Sequence, residues 1–305
     1  MQETKSSFLK IKKKYLSFIK RYQRTGSPFY DSLKQLKNYY IPIGNLIYKT
    51  HQSKKKSIVI GISGAQGTGK TTISKIIEIV LRYKYNLKTV SFSIDDFYKT
   101  RKERSIMSKR KHKLFLTRGV PGTHEVPLMR KVIKKLLKNK FKPVFIPRFD
   151  KSIDDRLKKT KWKKISQKPQ IILFEGWCVS AKHQKENQLA KAVNKLEKID
   201  DKNLIWRREV NKELKNQYRS VFSLIDKKIF LKVPNFKYVY KWRLLQEKKL
   251  KKNSRGKKIM NKYEIKNFIM HYERITRHMI KEFNKNYNVV ITIDKKHKIN
   301  GIKFF

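Results

Sequence analysis

The feature that most constrains this chain is one stretch, Gly64-Ala65-Gln66-Gly67-Thr68-Gly69-Lys70-Thr71. It reads Gly-x-x-x-x-Gly-Lys-Thr, the pattern of a phosphate-binding loop. In such a loop backbone N–H groups converge on phosphate oxygens, so glycines stand where a Cβ would collide. Lys70 then reaches the β- and γ-phosphates and Thr71 offers a hydroxyl to Mg²⁺. The helix that follows turns its positive end to the anion. Gly64 through Thr72 are therefore the expected ATP-binding residues, with Lys70 also acting in catalysis. The surroundings agree. The stretch directly follows the apolar run Ile58 to Ile62 and opens a helical pattern from Thr72 to Tyr83. A glycine-rich turn with no ligand would require neither.

Short apolar runs alternate with longer amphipathic stretches beyond Ser57. The runs begin at Ile58, Thr89, Ile171, Ile229 and Val289, and their continuous β-branched character fits strands buried on both faces. Helical patterns lie near 70–84, 126–139, 184–224, 236–250 and 259–284. Alternating strands and helices predict an α/β fold, a three-layer α/β/α sandwich with a mostly parallel sheet of about five strands. The stretch 97–123 has no clear period and is expected to form a loop-rich substrate wall. Lys248 to Lys258 is low-complexity and basic, and is expected to be a mobile loop.

Residues 1–56 read as a basic helical N-terminal extension, and 57–305 as the catalytic domain. Phe8, Ile11, Tyr15, Phe18 and Tyr22 recur at helical spacing. An amphipathic helix packed on the domain is the expected role, and attachment to a membrane surface the alternative. No apolar run approaches the roughly 20 residues a membrane helix needs, and the first residues lack a signal-peptide core.

The net charge of +55 admits a nucleic-acid binder, but 61 of the 78 basic residues are Lys, spread along the whole chain. A dedicated nucleic-acid surface more often concentrates Arg, whose planar fork reads phosphates bidentately. The charge is therefore read as compositional, and no specific nucleic-acid partner is expected. The single cysteine, Cys178, excludes internal disulfides and cysteine-based zinc sites, which suits a reducing cytoplasm.

Ser93-Ile94-Asp95-Asp96-Phe97-Tyr98 places two carboxylates at a strand end, where open α/β sheets bind ligands. Asp95 is the expected base or metal-water ligand, and Asp96 and Tyr98 are expected to meet the substrate. One of the two carboxylates is also a natural helix cap. Ile171 to Phe174 ends in Glu175, the form of an acid that binds Mg²⁺ beside a phosphate loop. Arg118-Gly-Val-Pro-Gly-Thr-His-Glu125 is rigid and cationic, fit to grip a carboxylate through Arg118 and His124. Pro147-Arg148-Phe149-Asp150-Lys151-Ser152 and Asp154-Asp155-Arg156 supply further polar groups, Arg148 and Asp150 among the expected substrate-binding residues. Arg243, near the start of a lid region at 243–258, suits charge on the transferring phosphoryl group.

Taken in order, these motifs resemble the D-glycerate 3-kinase family of plants and cyanobacteria. They are joined by Glu175-Gly-Trp-Cys178, Trp242-Arg243 with Gln246-Glu247, and His271-Tyr-Glu-Arg-Ile-Thr-Arg277. That family belongs to the wider group of P-loop kinases acting on uridine, phosphoribulose and pantothenate. The likeness runs from about Ser57 to the C-terminus. It implies transfer of the ATP γ-phosphate to the 3-hydroxyl of D-glycerate, the closing step of photorespiratory glycerate salvage, with substrate loops near 97–125 and 147–156. One departure is visible: the family usually has glycine where Ser180 stands. Three rivals remain at this stage, namely a kinase of the same fold with another acceptor (nucleoside, pantothenate or sugar phosphate), a nucleic-acid-associated ATPase, and a non-catalytic scaffold. The sequence is silent on oligomeric state.

Overall fold

The computed structural model describes residues 5–23, 32–253 and 260–305. The chain builds one six-stranded sheet from β1 (Ile58–Gly64), β2 (Thr89–Ser93), β3 (Ile171–Gly176), β4 (Lys227–Lys232), β5 (Val289–Ile293) and β6 (Ile299–Phe304). Their order across the sheet is β6-β5-β4-β1-β3-β2. Every neighbouring pair is parallel except β5 and β6. The five expected strands are all present. The sixth is an antiparallel edge strand, Ile-Asn-Gly-Ile-Lys-Phe, whose polar interior lacks the apolar run that marks the others.

The helices that frame the site are α1 (Lys5–Gln23), α2 (Ile41–Lys54), α3 (Lys70–Tyr85), α4 (Arg101–Arg110), α5 (Val126–Leu137), α6 (Ile205–Glu213), α7 (Phe236–Asn253) and α8 (Lys262–Lys281). Strand residues divide by parity between two apolar clusters. Ile58, Ile60, Ile62, Ile171 and Leu173 join one, while Val59, Ile172 and Phe174 join the other. The sheet is thus covered on both faces, as its uninterrupted hydrophobic strands require. In α1, Ile11, Tyr15 and Ile19 are buried in the same cluster as β1 and α3, with Phe8 and Phe18 packed against it. The period seen in the sequence is the buried stripe of this helix.

Three expectations change. The stretch 97–123 contains α4, opened by a capping box in which Thr100 Oγ1 accepts from Glu103 N and Glu103 Oε2 from Thr100 N. The helical pattern at 184–224 is several short helices rather than one, with α6 among them. The basic stretch from Lys248 continues α7 as far as Asn253, while residues 254–259 of the expected lid lie outside the described residues. No helix of the described residues is long and apolar enough to cross a membrane.

Candidate active site

The phosphate loop joins β1 to α3 directly. Gly69 takes φ +86° immediately before the helix, and no heavy atom lies within 4 Å of where its Cβ would stand. The requirement there is conformational: a left-handed residue turns the chain into the first helical turn. Lys70 Nζ folds back to donate to Ala65 O at 3.0 Å. Burial lowers the Lys70 pKa, while the nearby Glu175 and Asp95 carboxylates work to keep it charged. Thr71 Oγ1 donates to Glu175 Oε1 at 3.0 Å.

Sheet register brings the acids together. Glu175 on β3 stands opposite Ile62 on one side and Ser93 on the other. Asp95, two residues past Ser93, therefore reaches the same end of the sheet as the loop. Burial pushes the Glu175 carboxyl upward, and Asp95 adds to this against the pull of Lys70. Burial acts upward on Asp95 too, but the Lys151 ammonium, through charge and a hydrogen bond to Oδ2 at 2.5 Å, outweighs it. With help from His124 and Lys70, it brings Asp95 down to about 2. Tyr98 Oη donates to the other oxygen, Asp95 Oδ1, at 3.0 Å.

The two aspartates thereby part company. Asp96 Oδ2 accepts from Ser93 N at 3.0 Å and Ser93 Oγ from Asp95 N, so Ser93 caps a short 3₁₀ turn and Asp96 closes its capping box. Asp96 still borders the cleft, but its carboxylate is engaged by the backbone. His124 is corrected more strongly. It lies buried behind Tyr98, stacked on that ring at 4.4 Å. Tyr218 Oη accepts from Gly122 N at 3.1 Å and shares a hydrogen bond with His124 Nδ1 at 2.5 Å. Burial drives the His124 pKa down to about 3. A neutral, enclosed imidazole cannot pair with a substrate carboxylate; it supports Tyr98 instead.

Arg118 faces the cleft on a turn held from both sides. Trp177 Nε1 on the chain after β3 donates to Gly119 O at 2.9 Å, and Tyr272 Oη on α8 to Arg118 O at 3.0 Å. A Cβ on Gly119, which has φ +142°, would stand 2.1 Å from the Tyr272 hydroxyl, so only glycine admits this contact. The guanidinium lies over Phe149 and pairs with Asp154 Oδ1. Asp154 Oδ2 pairs with Arg104 at 2.9 Å, and Arg104 is wholly buried, donating to Leu116 O and Asp154 O at 2.7 Å each. Arg104 thus anchors Asp154, and Asp154 orients Arg118. Arg104, Tyr272 and Trp177 were not among the expected site residues.

Arg148 is exposed on the cleft wall, and Asp150 Oδ1 accepts from Ser152 N (2.8 Å) and Oγ (2.5 Å), so Asp150 shapes the hairpin turn. On α7, Arg243 pairs with Glu247 one turn on, and its guanidinium lies over Phe268. Lys70, Thr71, Asp95, Arg118, Glu175 and Arg243 all line one cleft of about 2120 Å³. Drug-sized ligands fill roughly 300–1,000 Å³, so this space suits two substrates side by side.

Ser180 explains its own departure. Its φ is +65°, its side chain is buried, and its hydroxyl finds no hydrogen-bond partner among the described residues. A non-glycine residue in this region costs about 1–2 kcal/mol, partly offset by the greater freedom of glycine when unfolded. Removing an unsatisfied buried hydroxyl adds to the gain. Ser180→Gly is expected to stabilise the protein by about 1 kcal/mol, read from the midpoint of urea unfolding. An unchanged or lower midpoint would mean the strain is not there.

A sequence signature of the phosphoribulokinase/uridine kinase family matches residues 59–243. An uncharacterized kinase of Schizosaccharomyces pombe is 34% identical over 232 residues, covering 73% of this chain and 81% of that protein. The chloroplastic D-glycerate 3-kinase of Arabidopsis thaliana is 29% identical over 258 residues, 78% of this chain and 53% of that enzyme, so the chain spans about half its length. Among solved structures, D-glycerate 3-kinase from Cryptococcus neoformans superposes with a TM-score of 0.75. The superposition covers 87% of this chain and 99% of that one at 21% identity, a likeness of fold.

Proposed function

The chain belongs to the phosphoribulokinase/uridine kinase family of ATP-dependent P-loop kinases, and we propose that its acceptor is D-glycerate, phosphorylated at the 3-hydroxyl. The observation that carries this reading is the Arg118 turn: a guanidinium anchored through Asp154 to buried Arg104, opening on the same cleft as Asp95 and the phosphate loop. A nucleoside has no carboxylate to occupy such a group. The plant enzyme named for D-glycerate, aligned over most of this chain, supports the choice.

In this reading the loop amides and Lys70 hold the β- and γ-phosphates. Asp95 aligns the acceptor hydroxyl and accepts its proton, Arg118 holds the acceptor carboxylate, and Arg243 meets charge spreading over the transferred group. The new O–P bond forms as the β,γ-bridging O–P bond breaks, and ADP leaves with the electron pair. Thr71 and Glu175 would hold Mg²⁺. A hydroxyl and a carboxylate in mutual contact give the hard oxygen donors that ion takes. Among the described residues no cluster of three or more His, Cys, Asp or Glu forms an all-protein metal site. When bound, Mg²⁺ would neutralise charge on the β- and γ-oxygens.

The test is an ADP-release assay over a panel of acceptors. D-glycerate is expected to exceed uridine and pantothenate by at least about 100-fold in kcat/KM, the scale set by a built polar site meeting a substrate that lacks its partner group. Mass spectrometry and NMR of the product should give 3-phosphoglycerate. Preference for a nucleoside, or stimulation by RNA rather than by a small acid, would overturn the assignment.

A further inference from the structure

Lys151 stands at the tip of a hairpin formed by Phe149–Asp150 and Asp155–Arg156. Its neighbours in the turn are fixed: Asp154 is held by Arg104 and Arg118, and Ser152 is held by Asp150. The Lys151 side chain is not held in the same way, since it is 60% exposed and its ion pair with Asp95 Oδ2 spans 2.5 Å. The other donor to Asp95 is of a different kind. Tyr98 is buried, stacked on His124 and edge-on to Phe149. Asp95 therefore has one oxygen held by a rigid phenol and one held by a flexible ammonium that borders the cleft.

We infer that Lys151 is an acceptor-operated latch: it occupies Asp95 in the empty enzyme and moves to the acceptor's carboxylate, freeing Asp95 only when an acceptor is present. This rests on the acid-acceptor reading above. An oxygen paired with an ammonium keeps a second lone pair, yet its charge is neutralised and it is a weak proton acceptor. The depressed pKa of Asp95 agrees with this. A kinase with a free base beside ATP would also activate water. In that reaction the water oxygen bonds to the γ-phosphorus, the bridging O–P bond breaks, ADP leaves with the electron pair and the water proton passes to Asp95. The latch suppresses this wasteful route. The acceptor carboxylate, arriving beside Arg118, competes for the ammonium by simple charge attraction, and four methylenes give Lys151 the reach to follow it.

The experiment compares wild type, Lys151→Met and Lys151→Arg at saturating MgATP, with and without D-glycerate. In Lys151→Met, hydrolysis without acceptor is expected to rise about tenfold and the KM for D-glycerate to rise about tenfold or more. Transfer per ATP consumed should fall accordingly. Lys151→Arg, which keeps the charge, is expected to hold hydrolysis within about threefold of wild type. A residue that only props the hairpin would lower the unfolding temperature and kcat while leaving hydrolysis unchanged. Unchanged hydrolysis together with unchanged KM in Lys151→Met overturns the latch. The hydrolysis arm needs no acceptor. If wild type fails to phosphorylate D-glycerate while Lys151→Met still hydrolyses ATP faster, the acceptor assignment falls and the restraint on Asp95 stands.

Discussion

Replacing Lys70 with alanine is expected to lower kcat by at least about 10³-fold, roughly 4 kcal/mol of transition-state stabilisation, while leaving the fold intact. The first half follows from where the ammonium sits. It is the cation at the mouth of the loop, close enough to Glu175 and Asp95 to feel both carboxylates. Its Nζ donates to Ala65 O, a contact that phosphate oxygens can replace. In the proposed reaction, charge developing on the β,γ-bridge would meet this buried ammonium, which makes its loss more costly than that of a surface lysine. The second half follows from what surrounds it. Lys70 begins α3, where alanine is an excellent helix former. The Thr71–Glu175 bond and the apolar contacts of Ile73, Ile76 and Ile77 do not involve its side chain. Circular dichroism and thermal unfolding should therefore match wild type within a few degrees. Near-normal turnover in a folded Lys70→Ala protein would sink the assignment of this site.

The same contrast between local and long-range information explains what the sequence disclosed. Five strands were legible because buried parallel strands are written as β-branched runs, and the phosphate loop because backbone cradling of phosphate demands glycines at fixed spacing. Helix α4 was not legible by periodicity, since its one buried side chain is Arg104. A hydrophobic stripe cannot mark a helix whose inner face is a cation, although the Thr100-x-x-Glu103 capping box was a usable sign. The region 184–224 hides for a similar reason. Glu197, Asp201 and Arg207 are buried there and, with Arg274 of α8, form an ion-paired network that reads as surface in one dimension. His124 and Asp96 carry chemistry in their names but not in their places. Only the tertiary fold puts Tyr98 between His124 and the cleft, and turns Asp96 back on Ser93. Lys151 stands in the Phe149-Asp150-Lys151-Ser152 motif that the sequence picks out, but only the fold shows its contact with Asp95.

That division between Asp95 and Asp96 yields the second large effect. Asp95→Asn is nearly isosteric, and its amide oxygen can still accept from Tyr98 Oη, although the NH₂ that replaces Oδ2 can no longer accept from Lys151. What it loses is the negative charge and the ability to take a proton. General base and orienting roles of this kind are worth about 10²–10⁴-fold, and kcat is expected to fall by that amount with ATP affinity, measured calorimetrically, nearly unchanged. Asp96→Asn is the matched control. The amide oxygen of asparagine can still accept from Ser93 N and close the capping box, so stability should shift by well under about 1 kcal/mol. Its kcat is expected to remain within about threefold of wild type, because the carboxylate is committed to the backbone rather than to the acceptor. The pair must be read together. A loss of less than tenfold in Asp95→Asn would remove the base from this position. An equal, large loss in both variants would instead mean that the short 3₁₀ turn, and not a single carboxylate, is what the reaction depends on.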